Sequence, residues 1–441
     1  MLFSCDTMVA LPNTTKSRQT LFAKNSDRPR EECQPLVYRD RQSHRGGEVT
    51  RCQFVELPQV ATTYRHVGSR PYWCWGYEHG FNEYQVVIGN EGLISKTPES
   101  EEPKLVGMEI VRLGLERSRT AAESVEVMTT LITKYGQGRF KNDAGVRTYD
   151  NGYLVADPRE AYVIETAGHE WVVKRVESVV GISNVHSVGT DWNRLSYLAE
   201  HRAIEQGWWQ PESGQFDFAE AYCDGARGRG AQRRARSCAL LNRYKGEIDP
   251  LTMMALLRDH ADGETPEEAS REEMPTTYSI CMHYNKEREG NTAASLVADL
   301  CVDGSRLPIY WCSFYSPCLG VFLPMFSEGR IPPILEIGDA QPNEESPWWL
   351  FRRLELKVRQ NQFNSQDVTT IRAIWARFQT ELLDTAYRIA ADAWWLIDVG
   401  QDAEASQVLT EYMNRNVDRM LTTLRDMLAR TAKSQPDRVQ W

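Results

Sequence analysis

Two apolar runs near the start of the chain, separated by a polar turn, constrain the local fold more than any other stretch. Residues 5–10 and 20–29 both alternate with period two and are rich in β-forming residues. Pro12 to Ser17 supplies turn chemistry between them, so an antiparallel hairpin is predicted. If its centre lies near residue 15, Cys5 is opposite Asn25 and residues 24–27 lie beside the sulfur.

Cys5 has a chemical use that an internal cysteine lacks. If the bond between Ser4 and Cys5 is cut, Cys5 carries both a thiol, of ordinary pKa about 8.5, and an α-amine, of ordinary pKa about 8, that can act as its base. Asp27 is placed to orient this amine, and Lys24 or Arg28 supplies positive charge. Taken alone, such a cysteine is more often a small buried hydrophobe.

A family resemblance gives these residues a common interpretation. Cys-Asp-Thr-Met-Val-Ala-Leu-Pro at 5–12 and Ala-Lys-Asn-Ser-Asp-Arg-Pro-Arg-Glu at 23–31 resemble the opening of the secernins and their dipeptidase relatives, which are amino-terminal-nucleophile hydrolases. Further matching stretches follow in order at 69–76, 80–83, 88–92, 107–117, 135–138, 165–168, 279–283, 292–297 and 317–324. The resemblance implies an α+β fold, the four-layer αββα sandwich, with Cys5 as the nucleophile.

Two asparagines that follow predicted strands are candidates for stabilising an oxyanion. Asn90 follows the apolar residues 86–88 and Asn184 follows residues 179–183, and a side-chain amide there can donate to a developing negative charge. In the related choloylglycine and penicillin acylases, an asparagine at the strand end that matches Asn90 serves this purpose. In the wider superfamily an asparagine after a strand like 179–183 contacts the reacting carbonyl, so the resemblance implies an oxyanion or substrate contact for Asn184. Without the resemblance, both would be interpreted as turn residues. The predicted catalytic residues are Cys5, Lys24, Asp27, Asn90 and Asn184.

Three further residues are predicted to contact substrate. Arg28 shares the cationic role with Lys24, because the acylases have an arginine where this chain has a lysine, and lysine lacks the bidentate fork. Trp75 belongs to the aromatic cluster at 72–77, which either walls a substrate cleft or packs in the core. Asn82 lies in the Gly-Phe-Asn-Glu motif of the resemblance.

The order of predicted elements indicates a two-sheet core with helices outside. Strands are predicted at 48–57, 84–90, 152–156, 161–165, 170–175, 179–184, 278–284, 292–300, 307–314 and 318–326. Helices are predicted at 104–117, 120–134, much of 192–262, 366–399 and 402–432. The predicted domains are a propeptide at 1–4, a hydrolase domain at 5–330 and a helical region at 345–432 packed on the core. A homo-oligomer interface is the alternative role for these C-terminal helices.

Charge argues against nucleic-acid binding. The net charge is −10 and the sequence pI is about 5.5, whereas nucleic-acid affinity needs a basic face. The exception is an arginine run between residues 227 and 236, which is interpreted as a solvated loop before a helix, with an RNA-contacting arm as the alternative.

Cysteine usage and hydropathy bear on compartment and metal binding. The ten cysteines lack the dense pattern of secreted scaffolds, so a reducing, cytoplasmic location is predicted. No paired CxxC motifs occur and Cys281-Met282-His283 has the wrong spacing for a zinc knuckle, so no metal site is expected. His283 either reaches the active site or is structural. No export signal, membrane span or nucleotide-binding motif is recognised, so no cofactor and no membrane are predicted.

These observations predict a cysteine amide hydrolase that cleaves short peptides or small acyl amides through an acyl-enzyme. The alternative is a non-enzymatic regulator or scaffold on the same fold, since secernins were named for a link to secretion.

Overall fold

Two antiparallel sheets form the centre of the molecule. The structure is a computed structural model that describes residues 5–142, 145–224, 228–261, 279–283, 290–360, 362–363 and 365–431. Its strands are β1 (Cys5–Ala10), β2 (Leu21–Pro29), β3 (Leu36–Arg39), β4 (Gln42–Ser43), β5 (Val49–Arg51), β6 (Glu56–Pro58), β7 (Thr62–Thr63), β8 (His66–Ser69), β9 (His79–Asn82), β10 (Val87–Leu93), β11 (Phe140–Asn142), β12 (Gly145–Arg147), β13 (Asp150–Ala156), β14 (Ala161–Ala167), β15 (Glu170–Arg175), β16 (Val179–Ser183), β17 (Arg194–Leu195), β18 (Gly290–Asp299), β19 (Ile309–Phe314) and β20 (Leu323–Met325). Its helices are α1 (Gly107–Arg117), α2 (Ala121–Tyr135), α3 (Ala199–Glu205), α4 (Phe218–Tyr222), α5 (Gly228–Arg243), α6 (Pro250–Leu257), α7 (Pro347–Arg359), α8 (Ser365–Asp398) and α9 (Asp402–Thr431).

One sheet has the order β16-β1-β2-β18-β19-β20, and the other has the order β17-β15-β14-β13-β10-β9-β8-β3. The two sheets pack face to face, as the stacked rings of Phe81 and Tyr310, with centroids 3.5 Å apart, show directly. Strand β1 is buried along its whole length because it has a neighbour on each edge and contacts β10 and β13 across the sheets. It is therefore a central strand and not a sheet edge.

Helices cover both outer faces, and the predicted αββα arrangement is confirmed. Helices α1 and α2 contact β9, β10 and β13 to β15, while α5 and α6 contact β16, β1, β2 and β18. The predicted start of α2 is also correct, because the Thr120 side chain accepts a hydrogen bond from the Glu123 nitrogen at 3.1 Å.

The long C-terminal helices pair with each other and contact the sheet that contains β1. Helices α8 and α9 lie against β20, and α7 and α8 contact β19. Gly400, at a φ of 80°, lies between α8 and α9, and a left-handed glycine is a common way to end a helix. Within the described residues, no helix is long and apolar enough to cross a bilayer.

Several boundaries differ from the sequence prediction. The predicted strand at 48–57 is the short hairpin β5–β6. The described part of the predicted strand at 278–284, residues 279–283, forms no strand, and its two ends lie outside the described residues. Residues 317–319 form a short 3₁₀ helix, so the strand predicted at 318–326 shrinks to β20. Residues 279–283 and 317–319 are buried without forming strands, and a short buried apolar run cannot be told from a strand by its sequence alone.

Candidate active site

The backbone of Cys5 is held on both sides. Its nitrogen donates a 2.7 Å hydrogen bond to the Asn184 side-chain oxygen, and its carbonyl accepts one from the Ser183 hydroxyl at 3.0 Å. On the other edge of β1, Cys5 pairs with Ser26, so the predicted pairing with Asn25 is wrong by one residue. The first strand therefore begins in a fixed position between β2 and β16.

The Cys5 thiol faces the backbone of Asp27. The Asp27 nitrogen lies 3.4 Å from the sulfur, and Cys5 is 3% exposed. Burial raises the pKa of the thiol to about 12, the positive charge of Lys24 lowers it, and the carboxylates of Glu78, Asp27 and Glu91 raise it further. The thiol is thus protonated here and needs a base beside it to become a nucleophile. Residues 1–4, the predicted propeptide, lie outside the described residues.

The carboxyl group of Asp27 is buried, and its two oxygens differ in their hydrogen bonding. Its Oδ1 accepts a 2.6 Å hydrogen bond from the Thr292 hydroxyl, while Oδ2 has no hydrogen-bond partner among the described residues. Burial, and then the nearby Asp6 carboxylate, raise the pKa of Asp27 to about 8, although Arg233 and the Thr292 hydrogen bond oppose this. A positive charge placed at Oδ2 would favour the ionised carboxylate.

Lys24 crosses from one sheet to the other. Its ammonium donates to the Asn90 carbonyl at 2.5 Å and lies 3.6 Å from the Glu91 carboxylate, with both side chains fully buried. Gly89 makes room for this crossing, because a Cβ there would lie 2.5 Å from the Lys24 Cδ. The pKa of Lys24 lies above its ordinary value: burial lowers it, but the negative charges of a Cys5 thiolate and of the Glu91 carboxylate raise it by more. Lys24 is therefore a fixed positive charge behind the thiol.

Arg28 is held by acidic side chains. Its Nε donates to Glu32 at 2.6 Å, and its Nη1 lies 3.3 Å from Glu78 and donates to the Tyr149 hydroxyl at 3.3 Å. The whole side chain is buried. These contacts give Arg28 a structural role beside the site, and its predicted contact with substrate stays a prediction.

Asn90 sits within β10, opposite Tyr153, and not at the strand end expected from the sequence. Turning its amide by 180° brings the nitrogen 2.8 Å from both the backbone and the side-chain oxygen of Glu78, and this orientation satisfies the amide best. The donor capacity of Asn90 is then directed at Glu78. Its proposed role toward an oxyanion stays a prediction.

Asn184 follows β16 directly, as predicted, but its side-chain oxygen faces the Cys5 nitrogen. That oxygen accepts from the Cys5 nitrogen and from the Arg233 guanidinium, the latter at 2.6 Å, while its nitrogen donates to the Gly92 carbonyl at 2.8 Å. This arrangement is suited to holding an amine at Cys5. Its predicted donation to an oxyanion stays a prediction.

Arg233 was missed by the sequence analysis. It lies on α5 with 1% exposure, donates to the Ser183 hydroxyl at 2.8 Å as well as to Asn184, and places its Nε 3.1 Å from the Asp6 carboxylate. Burial raises the pKa of Asp6 to about 6, and the charge of Arg233 opposes this rise. The interpretation of this run as a solvated loop is therefore wrong at Arg233.

A signal for Arg233 was present in the sequence. The buried residues of α5 recur at helical spacing, namely Gly230, Arg233, Ser237 and Leu241. Gly230 is required there because a Cβ would lie 2.4 Å from the Asn184 carbonyl oxygen. Small residues on either side of one arginine let the helix approach the strand end that carries Asn184.

The remaining two predicted contacts have structural partners. The Asn82 amide donates to the Leu115 and Ser118 carbonyls and accepts from the Tyr84 and Val86 nitrogens, which uses its full hydrogen-bonding capacity. Trp75 lies under a guanidinium, with the Arg112 Cζ 3.8 Å from its ring centroid. Neither contact set includes Cys5 or Asp27.

Comparison with known proteins identifies the family that this chain resembles. Residues 76–276, just under half of the chain, match the profile of peptidase family C69. The match confirms the predicted resemblance to the dipeptidase relatives and the assignment of the chain as a hydrolase.

Solved structures of other hydrolases align over longer spans at low similarity. A variant of the conjugated bile acid hydrolase from Clostridium perfringens aligns at 12% identity and a TM-score of 0.42, covering 76% of this chain and 94% of that one. Penicillin V acylase from Agrobacterium tumefaciens aligns at 15% identity and a TM-score of 0.40, covering 73% and 86%. The Caenorhabditis elegans ortholog of N-acylethanolamine-hydrolyzing acid amidase aligns at 12% identity and a TM-score of 0.34, covering 66% and 92%.

Proposed function

From the premise that residues 76–276 carry the profile of peptidase family C69 and that the chain is a hydrolase, we propose that it is a cysteine amide hydrolase whose nucleophile is Cys5. Its substrates are short peptides or small acyl amides, by analogy with the dipeptidase relatives. The observation that carries the proposal is the 2.7 Å hydrogen bond from the Cys5 nitrogen to Asn184, formed while the thiol lies against Asp27.

Activation begins with hydrolysis of the peptide bond that precedes Cys5: water adds to the carbonyl carbon of residue 4, and the Cys5 nitrogen leaves with the proton. The amide nitrogen of Cys5 then becomes an ammonium group whose ordinary pKa is about 8. One of its N–H groups keeps the hydrogen bond to the Asn184 oxygen, and the second oxygen of Asp27, which has no partner among the described residues, is the proposed acceptor for another. The ammonium also provides the positive charge that lets the buried Asp27 ionise.

The neutral amine next accepts the proton of the thiol, and the thiolate attacks the substrate carbonyl. A carbon–sulfur bond forms, and the carbonyl electron pair moves to oxygen, where the Asn90 amide is the proposed donor, while Asn184 holds the amine through its side-chain oxygen. The intermediate then expels the amine product, which takes the proton back from the Cys5 ammonium. Water hydrolyses the acyl-enzyme by the same sequence of proton transfers and restores the thiol.

Lys24 supports the thiolate electrostatically. It is fully buried, and its charge is the main influence that lowers the pKa of the Cys5 thiol against the effect of burial. A lysine supplies a point charge without the bidentate geometry of arginine, so it stabilises charge at the sulfur without orienting a substrate carboxylate.

Three proteins test the proposal: wild type, Cys5→Ala, and Cys312→Ala as a control for loss of a buried thiol far along the chain. Each is assayed against a library of dipeptides and acyl amides, and intact mass reports whether the chain begins at Cys5. We expect wild type and Cys312→Ala to begin at Cys5 and to hydrolyse the same substrates, and Cys5→Ala to lose activity.

Full activity in Cys5→Ala would exclude Cys5 as the nucleophile. An uncut chain without thiol reactivity at Cys5 would instead favour the regulatory or scaffold alternative. In that second case, hydrolysis of short peptides and small amides by Cys5 is excluded.

A further inference from the structure

Four metal-binding side chains converge outside the active site. His260, Cys281, His283 and Cys318 place their ligand atoms all within 4.8 Å of one another. The Nε2 atom of His283 lies 3.1 Å from the Nε2 of His260, 3.6 Å from the Cys281 sulfur and 3.4 Å from the Cys318 sulfur. From this geometry we propose that the four side chains bind a zinc ion as a closed, structural Cys₂His₂ site.

The spacing fits a tetrahedral ion. Zinc binds histidine nitrogen at about 2.0–2.1 Å and thiolate sulfur at about 2.3 Å, so tetrahedral ligand atoms lie about 3.3–3.8 Å apart. The three distances from His283, 3.1, 3.4 and 3.6 Å, fall at or close to that range. Two nitrogen and two sulfur ligands are also the donor set that zinc prefers over magnesium or calcium.

Burial makes the cluster costly unless something binds it. Cys281, His283 and Cys318 are between 0% and 8% exposed, so their polar atoms face each other and not water. Two imidazole nitrogens at 3.1 Å share at most one proton between them. A divalent cation bound by two thiolates and two neutral imidazoles satisfies all four atoms and leaves the site without net charge.

Backbone and side-chain hydrogen bonds hold the ligand-bearing segments together. The Asp259 carbonyl accepts from the nitrogens of Ile280 and Cys281, at 3.1 and 2.9 Å, which joins the end of α6 to residues 279–283. The Arg258 guanidinium donates to the Pro317 carbonyl at 2.9 Å and to the Gly320 carbonyl at 3.3 Å, which fixes the turn that carries Cys318. The ligands are thus positioned by contacts other than their own.

The surroundings supply a second layer and an entry route. The Glu355 carboxylate of α7 lies 4.0 Å from the second ring nitrogen of His283, where carboxylates commonly orient histidine ligands. A cavity of about 350 Å³ is lined by His260 and Cys318, so an ion can reach the cluster from that side.

The sequence prediction of no metal site rested on local spacing. A knuckle draws its ligands from short motifs, but here they come from three segments, at 260, 281–283 and 318, that only the fold unites. This site is separate from Cys5 and its chemistry, so the inference does not depend on the proposed function.

The site is nevertheless connected to the active-site wall. Met282, between two ligands, exchanges hydrogen bonds with Thr292: its nitrogen donates to the Thr292 hydroxyl and its carbonyl accepts from the Thr292 nitrogen, each at 2.9 Å. The same hydroxyl donates to Asp27. A bound ion therefore fixes the residue that orients Asp27.

The test is the metal content of the full chain, purified under reducing conditions and measured by elemental mass spectrometry after exposure to zinc and gel filtration. We expect about one zinc per chain in wild type and in a Cys312→Ser control, and at least a tenfold loss in Cys281→Ser/Cys318→Ser. Cobalt loaded into wild type should give the thiolate charge-transfer and tetrahedral absorption bands, a readout that needs no variant.

Wild type without bound zinc and without those cobalt bands would overturn the inference. Full zinc retention in the double variant would also overturn it. So would a Cys281–Cys318 disulfide mapped in protein purified under reducing conditions. Cys5→Ala should bind zinc as wild type does, so failure of the proposed function and failure of this site give different results.

Discussion

Asn184 accepts a 2.7 Å hydrogen bond from the backbone nitrogen of Cys5, a residue 179 positions earlier in the chain. Its oxygen, and not its nitrogen, faces the group that the proposed mechanism uses as a base. In the proposed mechanism, Asn184 therefore acts on the amine of Cys5.

Substitution of Asn184 separates the two roles that its amide can have. Asn184→Ala removes the acceptor for the amine, and we expect kcat/KM to fall by about 10²-fold or more. Asn184→Asp keeps an oxygen toward Cys5 but loses the donor, so it should retain much more activity than Asn184→Ala if the amine is the target. Equal loss in both variants would instead support donation to the oxyanion. Asn13→Ala, at an exposed site, is the control.

The ion pair between Asp6 and Arg233 should be coupled in stability measurements. Arg233→Met leaves a buried carboxylate without its partner, and we expect the free energy of unfolding to fall by about 3–5 kcal/mol. Adding Asp6→Asn should make the loss smaller than the sum of the single losses. Urea denaturation of wild type, Arg233→Met, Asp6→Asn and the double variant measures these losses. Additive losses would contradict a direct pairing, and exposed Arg243→Met should change stability by at most ~0.5 kcal/mol.

Stability of the uncut chain should depend on pH through Asp27. Its pKa is raised from about 3.9 when unfolded to about 8 when folded, so between these values the folded state keeps a proton that the unfolded chain releases. The free energy of unfolding therefore falls as the pH rises from about 4 to about 8, by up to ~1.4 kcal/mol per pH unit from this group.

Asp27→Asn removes that contribution. Urea denaturation at pH 6 and pH 8 compares Cys5→Ala with Cys5→Ala/Asp27→Asn, each with an intact mass that shows the bond before residue 5 uncut. The variant that carries Asp27→Asn should give the shallower pH dependence. An unchanged slope would show that Asp27 does not hold the proton.

Gly89→Ala tests the passage through which Lys24 crosses between the sheets. The added methyl group would lie 2.5 Å from the Lys24 Cδ and 3.2 Å from the Phe22 ring, so the fully buried lysine must move. We expect a loss of about 1–3 kcal/mol in unfolding free energy, together with reduced activity, because Lys24 is displaced from the thiol. Gly46→Ala is the matched control, since nothing lies within 4 Å of its Cβ position. Equal unfolding free energies for the two variants would show that a methyl group at position 89 does not displace Lys24.

The alternation of apolar and polar residues predicted the strands well where these follow one another closely in the sequence. The strand predicted at 170–175 is β15 without change, and the hairpin of β1 and β2 is present. The register of that hairpin was wrong by one residue, because its connection is ten residues long and such a loop does not fix pairing as a two-residue turn does. The neighbouring strands β16 and β18 set the register instead.

The candidate site was predictable where residues are near each other in sequence. Cys5, Lys24 and Asp27 share one hairpin, so their proximity follows from the turn alone. Arg233 reaches the site from α5. The many arginines around it made it difficult to recognise that the buried residues of this helix recur at helical spacing. The cluster proposed to bind zinc was not recognised for a related reason, since contact between segments far apart in sequence is not encoded in local spacing.

A strand that starts a polypeptide would ordinarily fray, yet β1 is paired along both edges from its first residues. Loss of whatever precedes Cys5 would therefore release a new end without loosening the strand behind it. Maturation in such an arrangement changes the chemistry of one nitrogen and leaves the architecture around it as it was.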